Sequence, residues 1–128
     1  MEQFDLKIIT PERTFFEGKS DFCEFTTVDG RVGVLAGHEA MTLILAPGVL
    51  HIHNGGEDRK AALHAGFAEV LPGSITVLAQ IAEWPEEIDK NRAEEARIRA
   101  ERRIKEDGSS IRDELALRRA IARIESIS

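Results

Sequence analysis

The sequence has 128 residues, with one cysteine, one tryptophan and no tyrosine. The single cysteine, Cys23, excludes an internal disulfide and a cysteine-rich zinc site, and its neighbours Phe22 and Phe25 indicate a small core side chain. No apolar run approaches the roughly 20 residues of a membrane-spanning helix, so we expect no membrane insertion. The N-terminal sequence starts acidic and continues directly into an alternating run, which is not the pattern of a signal peptide.

Several enzyme signatures are also missing. Neither the G-x-S-x-G motif of serine hydrolases nor the phosphate-binding G-x-G-x-x-G and Walker A motifs occur. The net charge is −6, with 17 basic against 23 acidic residues, which argues against nucleic acid as a partner. The basic residues are concentrated after Lys90, so this part of the chain suits an acidic protein surface.

What is present divides into two modules. Through residue 84, short runs alternate apolar and polar residues, which is the two-residue period of half-buried strands. We count about eight to ten runs at roughly ten-residue spacing, which favours an antiparallel β-sandwich of about ten strands. No ten-residue helical pattern intervenes, so a parallel α/β sheet is not expected. The predicted fold class is α+β and β-rich, with a sandwich over residues 1–84.

Glycines mark the expected strand ends. Gly18 and Gly66 interrupt alternating runs, so we predict that strands end at both. Asp29-Gly30 predicts a type I′ hairpin turn, in which both central residues need positive φ.

A helical pattern begins at Glu86 and continues to the end of the sequence. In the first helix the residues on one side are Ala93, Ala96, Ala100 and Ile104. Gly108 suits the left-handed position after a helix, and Ser110 suits the N-cap of the next one. The second helix has an apolar stripe made of Leu117, Ala120, Ile121, Ile124 and Ile127. The short link predicts an antiparallel two-helix hairpin over residues 85–128.

The alanine-rich seam of this hairpin has an energetic consequence. Burial of a leucine-sized side chain contributes about 1.5–3 kcal/mol, and an alanine methyl contributes well under half of that. Two short helices that share such a seam are marginally stable alone. We therefore expect a hairpin that opens or detaches when a partner offers a better surface.

His51, His53 and Glu57 form an H-x-H-x₃-E pattern in the β-rich module. Histidines two apart on a strand point to the same side, and a nearby glutamate completes a ligand set that zinc accepts. Two interpretations remain open, namely the metal site of a small metal-dependent β-sandwich enzyme and a solvated strand face.

Asp89 and Arg92 are three residues apart at the start of the helical module. At this spacing they share a helix face, where they form either an ion pair or part of a binding site. The other arginines that repeat on a common helix face are Arg99 and Arg103 on the first helix, and Arg119 and Arg123 on the second. In a closed hairpin the two arginine faces converge where one anion would neutralise them. Spacing alone favours a plain solvated charged face.

The order of these parts resembles the epsilon subunit of bacterial F-type ATP synthases. The segments that carry the resemblance are DGRVGVLAGHEAM, HAGFAEVLPGSITVLAQIAEW, EEIDKNRAEEARIRAERRI and ALRRAIARI. They span essentially the whole chain. The sequence departs from the family pattern at Ala36, where proline is usual, at Glu39-Ala40, where alanine-proline is common, and at Ala65, which replaces the first glycine of a GGF motif.

The resemblance implies a non-catalytic coupling and regulatory subunit of a proton-translocating synthase, peripheral on the cytoplasmic face of the cell membrane. The sandwich would bind the foot of the gamma subunit and touch the membrane rotor ring. Its implied contact surface comprises Asp29, Gly30, Arg31 and His38. The hairpin would lie on the sandwich when compact. When extended it would reach the alpha/beta catalytic head, where its arginines would face an acidic segment of the beta subunit and inhibit ATP hydrolysis.

Some members of this family bind ATP on the compact hairpin through an I/L-D-x-x-R-A pattern, which is intact here over residues 88–93. The implied ATP-binding residues are Glu83, Ile88, Asp89, Arg92, Ala93, Arg99, Arg119 and Arg123. The arginines would meet the phosphates, and Ile88 and Asp89 the base. The resemblance implies no required cofactor, and ATP as a regulatory ligand would favour the compact form by mass action. A stand-alone ATP-sensing module is a further alternative.

Overall fold

A computed structural model describes residues 2–128. Eight strands precede two helices. The strands are β1 (Phe4–Ile9), β2 (Thr14–Ser20), β3 (Phe22–Thr27), β4 (Gly30–Leu35), β5 (Met41–Leu45), β6 (Gly48–Asn54), β7 (Glu57–Leu71) and β8 (Ser74–Glu83). A 3₁₀ turn (Pro85–Glu87) leads into α1 (Lys90–Asp107) and α2 (Ile111–Ser126). Within the described residues, no helix combines the length and apolarity that a bilayer span requires.

The strands form one sheet that closes over a single core. Their order is β2-β1-β8-β7-β5-β3-β4, and β6 joins β3 to β7. All eight strands contribute buried side chains to the same apolar cluster, as two facing layers of a sandwich do. Cys23 is fully buried in this cluster, where burial raises the pKa of its thiol to about 12. The predicted β-rich α+β fold with a C-terminal helical hairpin is confirmed.

Three details differ from the prediction. Gly18 lies inside β2, and the runs on both sides of Gly66 form the single strand β7, so the count is eight. β1 pairs with β8 in parallel, whereas the other pairings are antiparallel. At the β3–β4 turn Gly30 has a φ of 118°, but Asp29 is not among the residues of positive φ, so the turn is not type I′.

The long strand β7 bends sharply at Ala65 and Gly66. Before the bend β7 pairs with β6, and after it with β5. Ala65 has a φ of 62° and is the only non-glycine residue of residues 2–128 with positive φ. Gly66 has a φ of 125°, and a Cβ there would lie 2.1 Å from the carbonyl oxygen of Leu78. The bend therefore needs glycine at 66 and strains the alanine at 65.

The hairpin is docked on the sandwich through α2, which contacts α1 on one side and β6 and β7 on the other. Val49 and Ala62 alternate away from the sandwich core and are nonetheless buried, because α2 covers this face. The buried residues of the two helices are all small, namely Ala93, Ala100, Ala120, Ala122 and Ser126. The predicted stripe is wrong at Ile121, which is 36% exposed, because the buried face of α2 is rotated towards Ala122.

The helix ends follow the predicted capping residues, with one correction at the start of the module. Gly108 has a φ of 82° after α1, and the Ser110 hydroxyl accepts a hydrogen bond from the Asp113 amide at the start of α2. The continuous helix starts at Lys90 and not at Glu86. Ile88 and Asp89, which lie between the 3₁₀ turn and α1, have extended backbones.

We predict that Ala65→Gly stabilises the protein. The left-handed conformation costs a non-glycine residue about 1–2 kcal/mol, and the freedom that glycine adds to the unfolded chain offsets about 0.4–1 kcal/mol of that gain. Urea unfolding should show a net gain of about 0.5–1 kcal/mol. Ala68→Gly, in the regular part of the same strand, is the control and should destabilise. A loss of stability in Ala65→Gly would contradict the strain at the bend.

Candidate functional site

A polar cleft of about 360 Å³ lies where the end of β8, the start of α1 and the end of α2 meet. Its lining residues are Glu83, Glu87, Ile88, Asp89, Arg92, Ala93, Glu95, Ala96, Arg99 and Arg123. The cleft needs the docked hairpin, because Glu83 lies on β8 of the sandwich whereas Arg92, Arg99 and Arg123 lie on the two helices.

Glu83 is the last residue of β8 and joins the two modules. Its Oε1 accepts a hydrogen bond from Arg123 Nε of α2 at 2.7 Å, and the same oxygen lies 3.0 Å from Nε2 of His64 on β7. The hydrogen bond from His64 lowers the pKa of Glu83 most, and Arg123 lowers it further, against the opposing effect of burial. Glu83 is therefore an anion that needs a docked α2 to be fully paired.

Arginine side chains supply the cleft with positive charge. Arg123 donates a hydrogen bond from Nε to Glu83, and the two other guanidinium nitrogens make no hydrogen bond within residues 2–128. Arg92 and Arg99 project from α1 and form no ion pair with any described residue. Guanidinium groups with unpaired N–H donors suit the oxygens of a phosphate or a carboxylate.

The acidic residues of the cleft are mostly engaged elsewhere. Glu87 pairs with Arg13 through both oxygens, at 2.7 and 2.8 Å, and these contacts lower the pKa of Glu87. Asp89 caps α1, because its carboxylate accepts a hydrogen bond from the Arg92 backbone amide at 3.1 Å. The ion pair between the Asp89 and Arg92 side chains that the spacing suggested is therefore not formed in this arrangement.

The segment between the modules is anchored to the sandwich by Trp84. Phe15 stacks on the Trp84 ring with centroids 4.1 Å apart, and the guanidinium of Arg59 lies 3.8 Å from the same ring centroid. The Trp84 amide also donates to Glu87 at 2.9 Å, which closes the 3₁₀ turn. The chain is thus fixed to the sandwich up to Glu87, and the extended residues Ile88 and Asp89 follow.

The structure brings together every residue of the predicted ATP set except Arg119, which does not line the cleft. Arg119 is half-buried on α2, one turn before Arg123. Sequence reasoning missed Glu87, Glu95 and Ala96 as lining residues and His64 as the partner of Glu83. Alternation along β7 places His64 on the outward face, but nothing in the sequence indicates that α2 covers that face.

The predicted metal ligands are not brought together. The described part of the chain contains no group of three side chains that would hold a metal ion. His53 contacts Asp58 across the β6–β7 hairpin, and His51 faces Glu24 on the neighbouring strand. Glu57 pairs with Asn54 at the turn.

The predicted partner-contact residues do not form one surface, because the Asp29–Gly30 tip and His38 lie at opposite ends of β4. Asp29 and Gly30 form the exposed tip of β3–β4, and His38 lies in the loop before β5. Arg31 instead contacts Glu24 at 2.6 Å and lines a groove with Ile121 and Ala122 of α2. Arg31 therefore belongs to the hairpin side of the sandwich in this docked state.

Comparison with known proteins agrees with this two-module structure. The family model described as "ATP synthase, Delta/Epsilon chain, beta-sandwich domain" matches residues 3–85, and the corresponding "long alpha-helix domain" matches residues 86–128. The chain is 46% identical to the ATP synthase epsilon chain of Clostridium novyi over 127 residues, covering 97% of each chain. It is 42% identical to that of Herpetosiphon aurantiacus, covering 94% of this chain and 90% of the relative.

The chain belongs to the ATP synthase epsilon-chain family. It is also similar to a chain in the mitochondrial ATP synthase structure of Euglena gracilis (OSCP/F1/c-ring), with a TM-score of 0.82 and 27% identity over 94% of this chain and 78% of that chain. Membership confirms the family prediction and makes this chain a non-catalytic subunit of the synthase. The metal-dependent enzyme is therefore wrong as a function, and so is the stand-alone sensor.

The pairing of Glu83 with Arg123 predicts that acid weakens the docking of the hairpin. His64 is the largest cause of the lowered pKa of Glu83, but it belongs to the sandwich and stays on release, whereas the Arg123 contribution exists only while α2 is docked. The Arg123 pair therefore contributes to docking at neutral pH, and this contribution is lost as pH falls through the docked pKa. NMR spectra recorded from about pH 6 to about pH 3.5 should show α2 signals changing before those of the sandwich core.

Glu83→Gln should show the low-pH α2 spectrum already at pH 6 (about 1.5 units above the ordinary carboxylate pKa). Glu86→Gln is the control, because Glu86 is exposed and makes no ion pair with a described residue. Retention of the docked α2 spectrum in Glu83→Gln would contradict the role of this carboxylate.

Proposed function

We propose that this epsilon chain couples the rotor of a proton-translocating ATP synthase to its catalytic head and inhibits ATP hydrolysis through a mobile hairpin. The observation that carries the proposal is the small interface between the hairpin and the sandwich. The hairpin docks through α2, whose buried side chains are small, through one partly exposed ion pair between Glu83 and Arg123, and through an exposed hydrogen bond from Lys60 to Ser128. Each buried CH₂-sized group contributes about 0.8 kcal/mol, so this interface is weak enough for the hairpin to leave the sandwich.

The anchoring of the connector supports a pivot at Ile88 and Asp89. Trp84 and Glu87 are held on the sandwich by Phe15, Arg59 and Arg13. The next two residues are extended and precede a continuous α1, so rotation about their backbones moves both helices as one body. A released hairpin would carry its arginines to an acidic segment of the beta subunit and block rotation in the hydrolysis direction.

The cleft supports ATP as the ligand that keeps the hairpin docked. Arg92, Arg99 and Arg123 offer donors for phosphate oxygens, and Ile88 and Asp89 would meet the base. Because Ile88 and Asp89 are also the pivot, a bound nucleotide would hold the hinge and the helices together. ATP would then relieve inhibition when it is abundant.

An exposed apolar row across the sandwich suits the gamma subunit. Ile44, Phe67 and Leu78 are aligned neighbours on β5, β7 and β8, and their exposed fractions are 54%, 42% and 40%. Exposed side chains of this size in one row indicate a protein interface. The Asp29–Gly30 tip and His38 remain proposed contacts with the gamma subunit and the membrane rotor ring, which would place the chain peripherally on the cytoplasmic face of the cell membrane.

Calorimetric titration of the purified chain with ATP tests the nucleotide site. We expect saturable binding at up to millimolar ATP, and about tenfold weaker binding by Arg92→Ala because a charge-assisted contact to phosphate is lost. Arg102→Ala is the control, since Arg102 is an exposed arginine of the same helix that does not line the cleft. Absence of saturable heat, or an equal loss in both variants, would contradict the assignment.

A further inference from the structure

His64 is a buried polar residue that neither the ATP-binding pattern nor the sandwich core requires. It lies on β7 immediately before the bend and is 1% exposed. Its Nε2 lies 3.0 Å from Glu83 Oε1, and its Nδ1 is buried without a hydrogen-bond partner in residues 2–128. Burial of an imidazole with one unpaired nitrogen is unfavourable, and an apolar residue would fill the same space without that cost.

The contacts of Glu83 decide which His64 nitrogen carries the proton. Glu83 accepts a hydrogen bond from the guanidinium of Arg123, which is always charged, so the carboxylate is ionised and acts only as an acceptor. Nε2 of His64 must therefore donate to it. Both donors use Oε1, and Oε2 makes no hydrogen bond within the described residues, which leaves it for a donor group of a ligand.

The ion pair alone would be a weak anchor. The side chains of Glu83 and Arg123 are 24% and 28% exposed, and pairs with such access to water contribute little. His64 changes this because it comes from a rigid strand beneath the pair and fixes the carboxylate from its buried side. A fixed carboxylate holds Arg123 Nε and leaves the other guanidinium nitrogens for the cleft.

We propose that His64 is a positioning residue of the nucleotide cleft: through Glu83 it holds Arg123 docked, and it thereby sets both the anion affinity of the cleft and the population of the docked hairpin. The affinity part rests on the proposed nucleotide site, whereas the docking part does not. The ligand class is a phosphate-bearing anion, for which the probe is ATP.

Two substitutions separate positioning from packing. His64→Leu keeps an apolar side chain of similar size and removes the donor, whereas His64→Gln keeps an amide donor near the position of Nε2. His53→Leu is the matched control, because the His53 side chain contacts the surface residue Asp58, packs at a tilt against Phe22 and does not line the cleft. Each full-length variant is examined by ATP calorimetry and, without nucleotide, by amide exchange of α2.

We expect about tenfold weaker ATP binding and about tenfold faster α2 exchange in His64→Leu, from the loss of one charge-assisted hydrogen bond. His64→Gln should recover most of both, and His53→Leu should match the wild type. In a Glu83→Gln background, His64→Leu should cause little further change in ATP affinity or α2 exchange, because His64 acts on Arg123 only through Glu83.

Unchanged α2 exchange in His64→Leu would overturn the proposal, and so would equal defects in His64→Leu and His64→Gln. If the wild type shows no ATP binding, the nucleotide site fails while the exchange measurements still decide the docking role. If the sandwich strands of His64→Leu also exchange their amides faster, the His64→Gln variant and the Glu83→Gln background distinguish a loss of the hydrogen bond to Glu83 from a loss of packing. An effect of His64→Leu that persists undiminished in that background would mean packing and would overturn the positioning role.

Discussion

The hydrogen-bonded carboxylate of Glu83 is the contact on which the relation between the two modules depends. It ends the last strand, accepts from a buried histidine of the sandwich and from Arg123 of the last helix, and lines the cleft. The other docking contacts include small side chains of α2 such as Ala122, which bury little area, and a hydrogen bond from Lys60 of β7 to the carbonyl of Ser128. These contacts dock the hairpin in a defined position, and in the proposed function they are weak enough for the hairpin to be released.

That weakness suits a two-state regulator. A ligand at about 100 times its dissociation constant stabilises the form that binds it by about 2.7 kcal/mol, which is comparable to the burial of one large apolar side chain. A strongly packed hairpin would not respond to such a ligand, and an unpacked one would not form the cleft. In the proposed function, a pivot at Ile88 and Asp89, which line the same cleft, would link ligand occupancy directly to the movement of the helices.

Local sequence patterns predicted the strands and helices, and the features that they did not predict depend on contacts between residues far apart in the sequence. The change from alternation to helical spacing after Trp84 identified both modules, because each period follows from which side of an element is buried. The parallel pairing of β1 with β8 joins distant segments and leaves no local mark. Gly66 is not a strand end but the point where β7 bends without breaking, since its backbone must pass close to Leu78. The cleft residues follow from the family resemblance, whereas spacing alone favours a solvated charged face. His64 was missed because its role depends on the position of α2.

The central claim is that the hairpin has a docked and a released state that ATP shifts. The most direct measurement is the distance between spin labels at Glu57, the first residue of β7, and Lys105, near the end of α1, in the assembled synthase. We predict one docked distance with saturating ATP, and a second, longer distance in the inhibited enzyme without ATP. A single docked distance in both conditions would contradict the claim.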